Sequence, residues 1–320
     1  SAVDRTPFHN EYLMARLDAD LTGEIRVATA FLNAIGAYGS DLRTEGFSGY
    51  LVELLVLEQD GFRELIQAAA DWQPPVRFDP ATHGTREYED ELVVIDPTDP
   101  ERNVAAACSA TNIARFQHYA RELLDTPRDS LFEPRTLTPL ANADVRQAIA
   151  NRGTEPVAIC FEPPDVVDDQ LYPQLDKSCA GLAAELGRLG FDPLRTARFA
   201  TDDHAVILVE CGVAERPHIE RHQGPPLGVR AHAEGFYRKY ADAPDVWGPF
   251  IEDGRYIVER EREFCTPGDF CESDALFEVA LGSHITSTLN TGYHVLVGPE
   301  VSTLADIFGL ELARYLNPVP

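Results

Sequence analysis

Apolar positions in the first part of the chain recur at helical spacing. Ile25, Ala28, Phe31, Leu32 and Ile35 lie three and four apart, so they share one face and predict a helix over 24–35. Thr22 is placed to cap it and Gly36 to end it. Arg26 and Thr29 fall one turn apart on the opposite, polar face. Tyr12, Leu13 and Leu17 mark a short amphipathic helix upstream. The glycine-flanked turn Ala37-Tyr38-Gly39-Ser40 presents a tyrosine ring either to a ligand or to the helix above it. A second turn over 46–49 leads into a helix buried through Leu51, Leu54 and Leu55. Gly61 separates it from another over 62–72, with Leu65, Ile66 and Ala69 inward. Ile113, Phe116, Tyr119 and Leu123 predict a long helix over about 104–124 that Thr126-Pro127 stops.

One strand interrupts this region. Leu92, Val93, Val94 and Ile95 form an apolar run that ends at Asp96, and Pro97 and Pro100 forbid its continuation. Asp99 is placed to cap a helix with Pro100 in its first turn. Arg102 then sits at the helix end that prefers anions, so its guanidinium needs a partner: Asp96 or Asp99 nearby, or a ligand beyond the strand.

After a proline-rich linker over 131–139 the pattern changes. Apolar runs predict strands over 157–161 and 205–211, and 191–199 reads as a further strand, separated from the last by the Asp202-Asp203 turn. Leu171, Leu175, Leu182 and Leu186 predict a helix over 169–189. Strand, helix, strand, strand opens a ferredoxin-like layer, the architecture of RNA-recognition motifs, although the signature aromatics of those motifs are absent. A strand over 255–262 and a helix over 304–315 follow. The expected fold class is α+β: a helical central domain over 1–130, then a ferredoxin- or RNA-recognition-motif-like body with a helical tail over 131–320. No internal repeat is present.

Charge alters the functional picture. The formal net charge is −26, and all but two of the 27 basic residues are arginine, the lysines being Lys177 and Lys239. Dispersed acids with few lysines point to adaptation to high salt. At molar salt the screening length is about 3 Å, so distant carboxylates do not exclude a nucleic-acid partner. The most cationic window runs over 216–232, with Arg216, His218, Arg221, His222 and Arg230. It is a candidate for phosphate contact, against a local reading in which it pairs with Glu215 and Glu220. The six cysteines lack metal-ligand spacing, and Cys108, Cys160 and Cys211 read as buried thiols. With no membrane-length apolar run and no signal-peptide pattern, a cytoplasmic setting fits.

Four blocks, in order, carry a resemblance: Asp4-Arg5-Thr6-Pro7-Phe8-His9; Gly46-Phe47-Ser48-Gly49-Tyr50-Leu51 with Glu53-Leu54-Leu55; the segment from Asp96 through Arg102 and Asn103 to Ala106; and Asp165-Val166-Val167-Asp168-Asp169 with Leu171-Tyr172-Pro173-Gln174-Leu175. Together they resemble the archaeal (class I) CCA-adding enzymes, the tRNA nucleotidyltransferases, from Ala2 to about Phe250. The segment beyond matches only loosely. The resemblance implies addition of C, C and A to tRNA 3′ ends from CTP and ATP with Mg²⁺. It places His9 near the triphosphate, Tyr38 at a nucleotide-binding position, and Arg102 on the base edge. Where the family has a phosphate-binding lysine this chain has Thr29, for which Arg26 is the candidate substitute. An arginine usual before the Gly-Phe-Ser-Gly turn is Glu45.

Nucleotidyl transfer needs carboxylate-held metals, in this superfamily a Gly-Ser followed by an acid-x-acid strand. Gly39-Ser40 leads to Asp41-Leu42-Arg43, Gly282-Ser283 leads to no acid pair, and Asp18 and Asp20 sit at a helix end. No catalytic carboxylate or metal ligand is therefore assigned here. The chain reads as a piece of a longer protein whose catalytic head precedes Asp4. Its expected nucleotide-binding residues are His9, Tyr38, Arg102, Arg26 and Thr29, and its expected tRNA-binding residues are Arg221, His222 and Arg230. A homodimer stays open. The alternative is a non-catalytic RNA-binding module derived from the same family.

Overall fold

The computed structural model describes residues 2–320, with side chains from Thr6 onward, so the side chains of Asp4 and Arg5 in the first family block lie outside the described residues. The chain divides into two compact units, 1–137 with 318–320, and 138–317. Among the described residues no helix is long and apolar enough to cross a membrane.

The first unit opens with α1 (Ala2–Met14), which carries His9 on a helix, and α2 (Ala19–Ala34). Asp18, not Thr22, caps α2: its carboxylate accepts from the Leu21 amide, and the Thr22 hydroxyl donates to the Asp18 carbonyl. α3 (Gly49–Gln59), capped by Ser48, and α4 (Phe62–Ala70) follow. Then come β1 (Val76–Phe78), β2 (Leu92–Asp96), β3 (Asp99–Asn103) and α5 (Ala110–Asp125), capped by Ser109. Phe31, Phe47, Leu54, Phe116 and Ala120 centre the core, and Leu131 and Phe132 close onto it, so the expected linker begins after them.

The double-proline corner does not start a helix. β2 and β3 form an antiparallel hairpin with Asp96 opposite Asp99. The strand order β1-β2-β3 leaves β3 at an edge, where Pro100 costs no ladder bond. Asp96 accepts from the Thr98 amide at 2.9 Å and its hydroxyl at 2.8 Å, fixing the turn from within. Buried Asn103 accepts from the Val94 and Ala105 amides and donates to the Leu92 carbonyl, capturing the backbone groups at the hairpin's open end. Two side chains thus outweigh the local helix signal.

The second unit contains α6 (Asn142–Arg152), β4 (Glu155–Phe161), α7 (Asp168–Leu189), β5 (Pro193–Ala200) and β6 (Ala205–Cys211). β7 (Ile219–Pro226), α8 (Arg230–Tyr240), β8 (Val246–Glu252) and β9 (Arg255–Glu261) follow, then α9 (Pro267–Cys271), α10 (Ser283–Leu289), β10 (His294–Val297) and α11 (Ala305–Leu316). The sheet order β10-β4-β6-β5, all antiparallel, is ferredoxin-like. The three-stranded sheet β7-β9-β8 with α8 is inserted between its third and fourth strands. β6 is buried at every position because both faces of the sheet are covered. α7 packs on β5 and β6. Val145 and Ile149 of α6 and Phe308 and Leu312 of α11 pack with Ala158, Val206 and Leu208 on the other face. That second face is the one an RNA-recognition motif presents to RNA; here it is closed by helices, in keeping with the missing signature aromatics.

Candidate functional site

The polar centre of the first unit is Asp96, wholly buried at the end of β2. A buried carboxylate is tolerated only if paired and hydrogen-bonded, and Asp96 is both. Its Oδ1 takes the two Thr98 bonds and the Tyr50 hydroxyl at 3.3 Å. Its Oδ2 faces Arg102 Nη1 at 2.7 Å and His9 Nε2 at 3.0 Å. The Asp96 carbonyl lies 3.0 Å from His83 Nε2. Burial alone would raise this carboxyl; the bonds from Thr98 and Arg102 and the charge of His9 outweigh it and hold the carboxyl below the usual carboxylate range. The Tyr50 hydroxyl is pushed up, first by burial and then by the Asp96 charge.

Two helices and the hairpin meet at this point. α1 supplies His9, whose ring stacks on Tyr50 of α3 at 3.9 Å between centroids and 11° between planes. The hairpin supplies Asp96, Thr98 and Arg102. Arg102 is therefore on a strand, not in a first helical turn, and it has the nearby partner its position called for. Its side chain remains 31% exposed, while that of His9 is 13% exposed. The guanidinium is tethered but not sealed.

The remaining predicted nucleotide residues are placed differently. Among the described residues no hydrogen bond, ion pair or ring contact links Tyr38, Arg26 or Thr29 to the Asp96 cluster. Tyr38 is half-buried against the core, with its hydroxyl at the Ser48–Gly49 turn where α3 begins: a Cβ on Gly49 would lie 3.2 Å from it. Gly46 is required beneath this turn, because a Cβ there would meet the Ala37 carbonyl oxygen at 2.1 Å. Glu45 sits in the left-handed region at φ 50°, its carbonyl taken by the Ser109 amide and by Asn112. Arg26 is exposed and Thr29 half-buried on α2.

Sequence reading missed Tyr50, Thr98 and His83 and saw Asp96 only as a local partner. The available signal was the position of Asp96, a carboxylate closing a run of buried strand residues, which demands partners wherever it occurs.

The three predicted tRNA residues do not form one cluster. Arg221 and His222 are successive on β7 and point to opposite faces. Arg221 lies over the Phe250 ring and pairs with Glu252 at 2.6 Å. His222 stacks on Phe236 of α8, and burial, then the charge of Arg260, lower its pKa. Arg230 starts α8 and pairs with Glu234. Around β7, a cleft of about 580 Å³ carries Arg188, Arg221, Arg260 and Arg262 with His222 but also Glu220, Glu261 and Glu263. Glu220 bridges Arg260 and Arg262, and Arg188 pairs with Glu185.

Two family models match this chain: the second domain of tRNA nucleotidyltransferase over residues 23–133, and the C-terminal domain of CCA-adding enzyme over 152–298. The CCA-adding enzyme of Haloarcula marismortui is 56% identical across 100% of this chain and 72% of its own length. The chain belongs to the CCA-adding enzyme family. The enzymes of Halobacterium salinarum and Methanosarcina barkeri are 51% and 38% identical, each over 99% of this chain and over 71% and 69% of their own lengths. The acid-rich, lysine-poor composition of this family member accords with the haloarchaeal relatives it matches. Among its described residues no group of three or more His, Cys, Asp or Glu side chains forms a metal site.

Proposed function

We propose that this chain is the nucleotide- and tRNA-binding portion of a tRNA nucleotidyltransferase that adds C, C and A to tRNA 3′ ends. The observation that carries this reading is Arg102, a guanidinium anchored by a buried carboxylate next to His9 and still open to solvent. Arginine's planar donor fork suits an acceptor edge of a base. Arg102 reads the base, His9 and Tyr38 order the phosphates, and Arg26, one turn from the Thr29 that stands in place of the family's lysine, supplies the missing positive charge. Arg221, His222 and Arg230, with the cleft beside β7, take tRNA phosphates. The substrates are CTP and ATP. Among the described residues no group of three or more His, Cys, Asp or Glu side chains forms a metal site; in this reading the Mg²⁺ and the catalytic carboxylates are supplied by an N-terminal head.

The test is Arg102→Ala in the protein joined to its catalytic head. Selection of CTP and ATP over UTP and GTP falls by about 1–3 kcal/mol in discrimination, while affinity for tRNA lacking CCA is retained. Equal loss of both makes Arg102 structural. A protein that binds tRNA but no nucleotide, with or without Arg102, is the RNA-binding module instead.

A further inference from the structure

The two oxygens of Asp96 have divided tasks. Oδ1 is tied to its own turn by the Thr98 amide and hydroxyl and to α3 by Tyr50. Among the described residues Oδ2 takes the two assigned to the nucleotide, Arg102 at 2.7 Å and His9 at 3.0 Å. We propose that Asp96 is the positioning residue that fixes the direction of Arg102, and that this fixed direction makes the site accept C and A and refuse U and G. The proposal rests on the reading of Arg102 as the base contact.

The chemistry follows from where hydrogens sit on the four bases. N3 of cytosine and N1 of adenine are unprotonated acceptors. N3 of uracil and N1 of guanine each carry a hydrogen. A donor fixed opposite that ring nitrogen meets an acceptor in the first pair and a second donor in the other. One arginine thus suffices for both correct bases, provided that it cannot turn. A guanidinium has five N–H donors, and if free it would swing to the carbonyl oxygens or ring N7 that uracil and guanine also offer. The bond to Asp96 uses Nη1 and holds that end of the guanidinium, which restricts the directions open to its remaining donors. The hold is firm because the carboxylate is itself immobilised through Oδ1 in a fully buried position. His9, on the same oxygen and stacked against Tyr50, prevents Oδ2 from following Arg102 outward. Selection in this account depends on a rigid donor, and the rigidity is supplied by a residue that touches no substrate.

Asp96→Asn keeps the shape but removes the charge and turns an NH₂ toward donors. In the protein with its head, Kd values are measured for CTP, ATP, UTP and GTP with Mg²⁺ in the presence of tRNA lacking CCA, beside the Kd for that tRNA alone. The expected result is a fall of about tenfold in the CTP:UTP and ATP:GTP affinity ratios, with tRNA affinity within about twofold of the parent. Equal weakening of all four nucleotides, or unchanged ratios, overturns the proposal. Should Asp96→Asn fail to fold, Thr98→Ala takes its place. It loosens Oδ1 while leaving the Arg102 pair intact, and the same ratios fall by about two- to threefold; unchanged ratios again overturn it. Arg102→Ala separates the two readings: if it leaves the ratios intact, the assignment of Arg102 to the base fails, whatever Asp96 does.

Discussion

Each unit buries one carboxylate beneath arginine, and the two are built for different ends. In the second unit Glu210, 2% exposed in the central strand β6, accepts from Arg152 Nε and Nη2 at 2.5 and 3.0 Å, Thr154 at 2.6 Å and Tyr315 at 2.9 Å, with Arg195 at 3.4 Å. These partners come from α6, the segment before β4, α11 and β5. Arg195 also donates to the Tyr315 carbonyl and lies over its ring. Glu210 therefore ties the helices to the sheet, while Arg152 and Arg195 stay partly exposed. Asp96 sits at a strand end, and one of its oxygens serves two side chains that reach the surface. A buried acid with an arginine is thus ambiguous in itself. Arginine exposure does not separate a clamp from a site, since Arg152, Arg195 and Arg102 are 34%, 31% and 31% exposed. What differs is that Glu210 joins four elements through both oxygens, whereas Asp96 commits one oxygen to its own turn and α3 and the other to Arg102 and His9.

The widest separation between the two is expected on removal of Glu210. Glu210→Ala strands Arg152 and Arg195 and costs about 3 kcal/mol or more, read as a lowered denaturant midpoint, with nucleotide selection unchanged in the fraction that remains folded. The same carboxyl supplies a pH test. Burial would raise it, but the bonds from Arg152, Thr154 and Tyr315 bring it from 4.5 to about 2. A depressed folded pKa contributes stability that is full above the unfolded value and is lost as pH falls through the folded one. Stability therefore declines between about pH 4.5 and 2 in the parent, and this decline is shallower in Glu210→Gln. An unchanged acid transition would place the lock elsewhere.

Matched tyrosine substitutions sharpen the contrast at a smaller scale. Tyr315 donates to Glu210 at 2.9 Å and Tyr50 to Asp96 at 3.3 Å. Both tyrosines donate to carboxylates, for which about 1.5–3 kcal/mol per bond is usual. Tyr315→Phe is expected within that range and Tyr50→Phe at or below its lower end, because the Tyr50 bond is long at 3.3 Å against 2.9 Å. Both are measured by chemical denaturation. Equal costs would mean that the Asp96 cluster is as much a structural clamp as the other.

Much of the fold was legible because burial imposes period. Ala28, Phe31 and Leu32 face the core as their spacing required, β4 and β6 lie where apolar runs placed them, and α7 and β5 lie close to their expected spans. The helix expected after the double-proline corner was not, because Asn103 and Asp96 capture backbone groups that local propensity assigns to a helix. α8, β8 and β10 carry too few buried positions to announce themselves: β8 leaves Trp247 and Ile251 exposed. At the site, the motif blocks pointed to His9 and Arg102, but nothing in one dimension joins His9 to a carboxylate 87 residues away. Tyr50 lay inside a recognised block as an unremarked neighbour of the glycine turn.

The smallest effect on stability concerns the cationic window, where the choice is between a surface pair and a phosphate contact. The Arg230 side chain is 90% exposed and pairs with Glu234, four residues on. Such pairs contribute about 0.3–0.5 kcal/mol, so Arg230→Ala should leave the denaturation midpoint nearly unmoved. A phosphate contact behaves differently: removing it reduces the slope of log K against log salt by about one for tRNA binding. The comparison with Arg221→Ala is informative, since Arg221 is held over Phe250 and by Glu252 on the open face of its sheet. A reduced slope in both variants places the tRNA backbone across β7 and α8 together. A reduced slope for Arg221 alone confines it to the sheet face and returns Arg230 to its pair with Glu234.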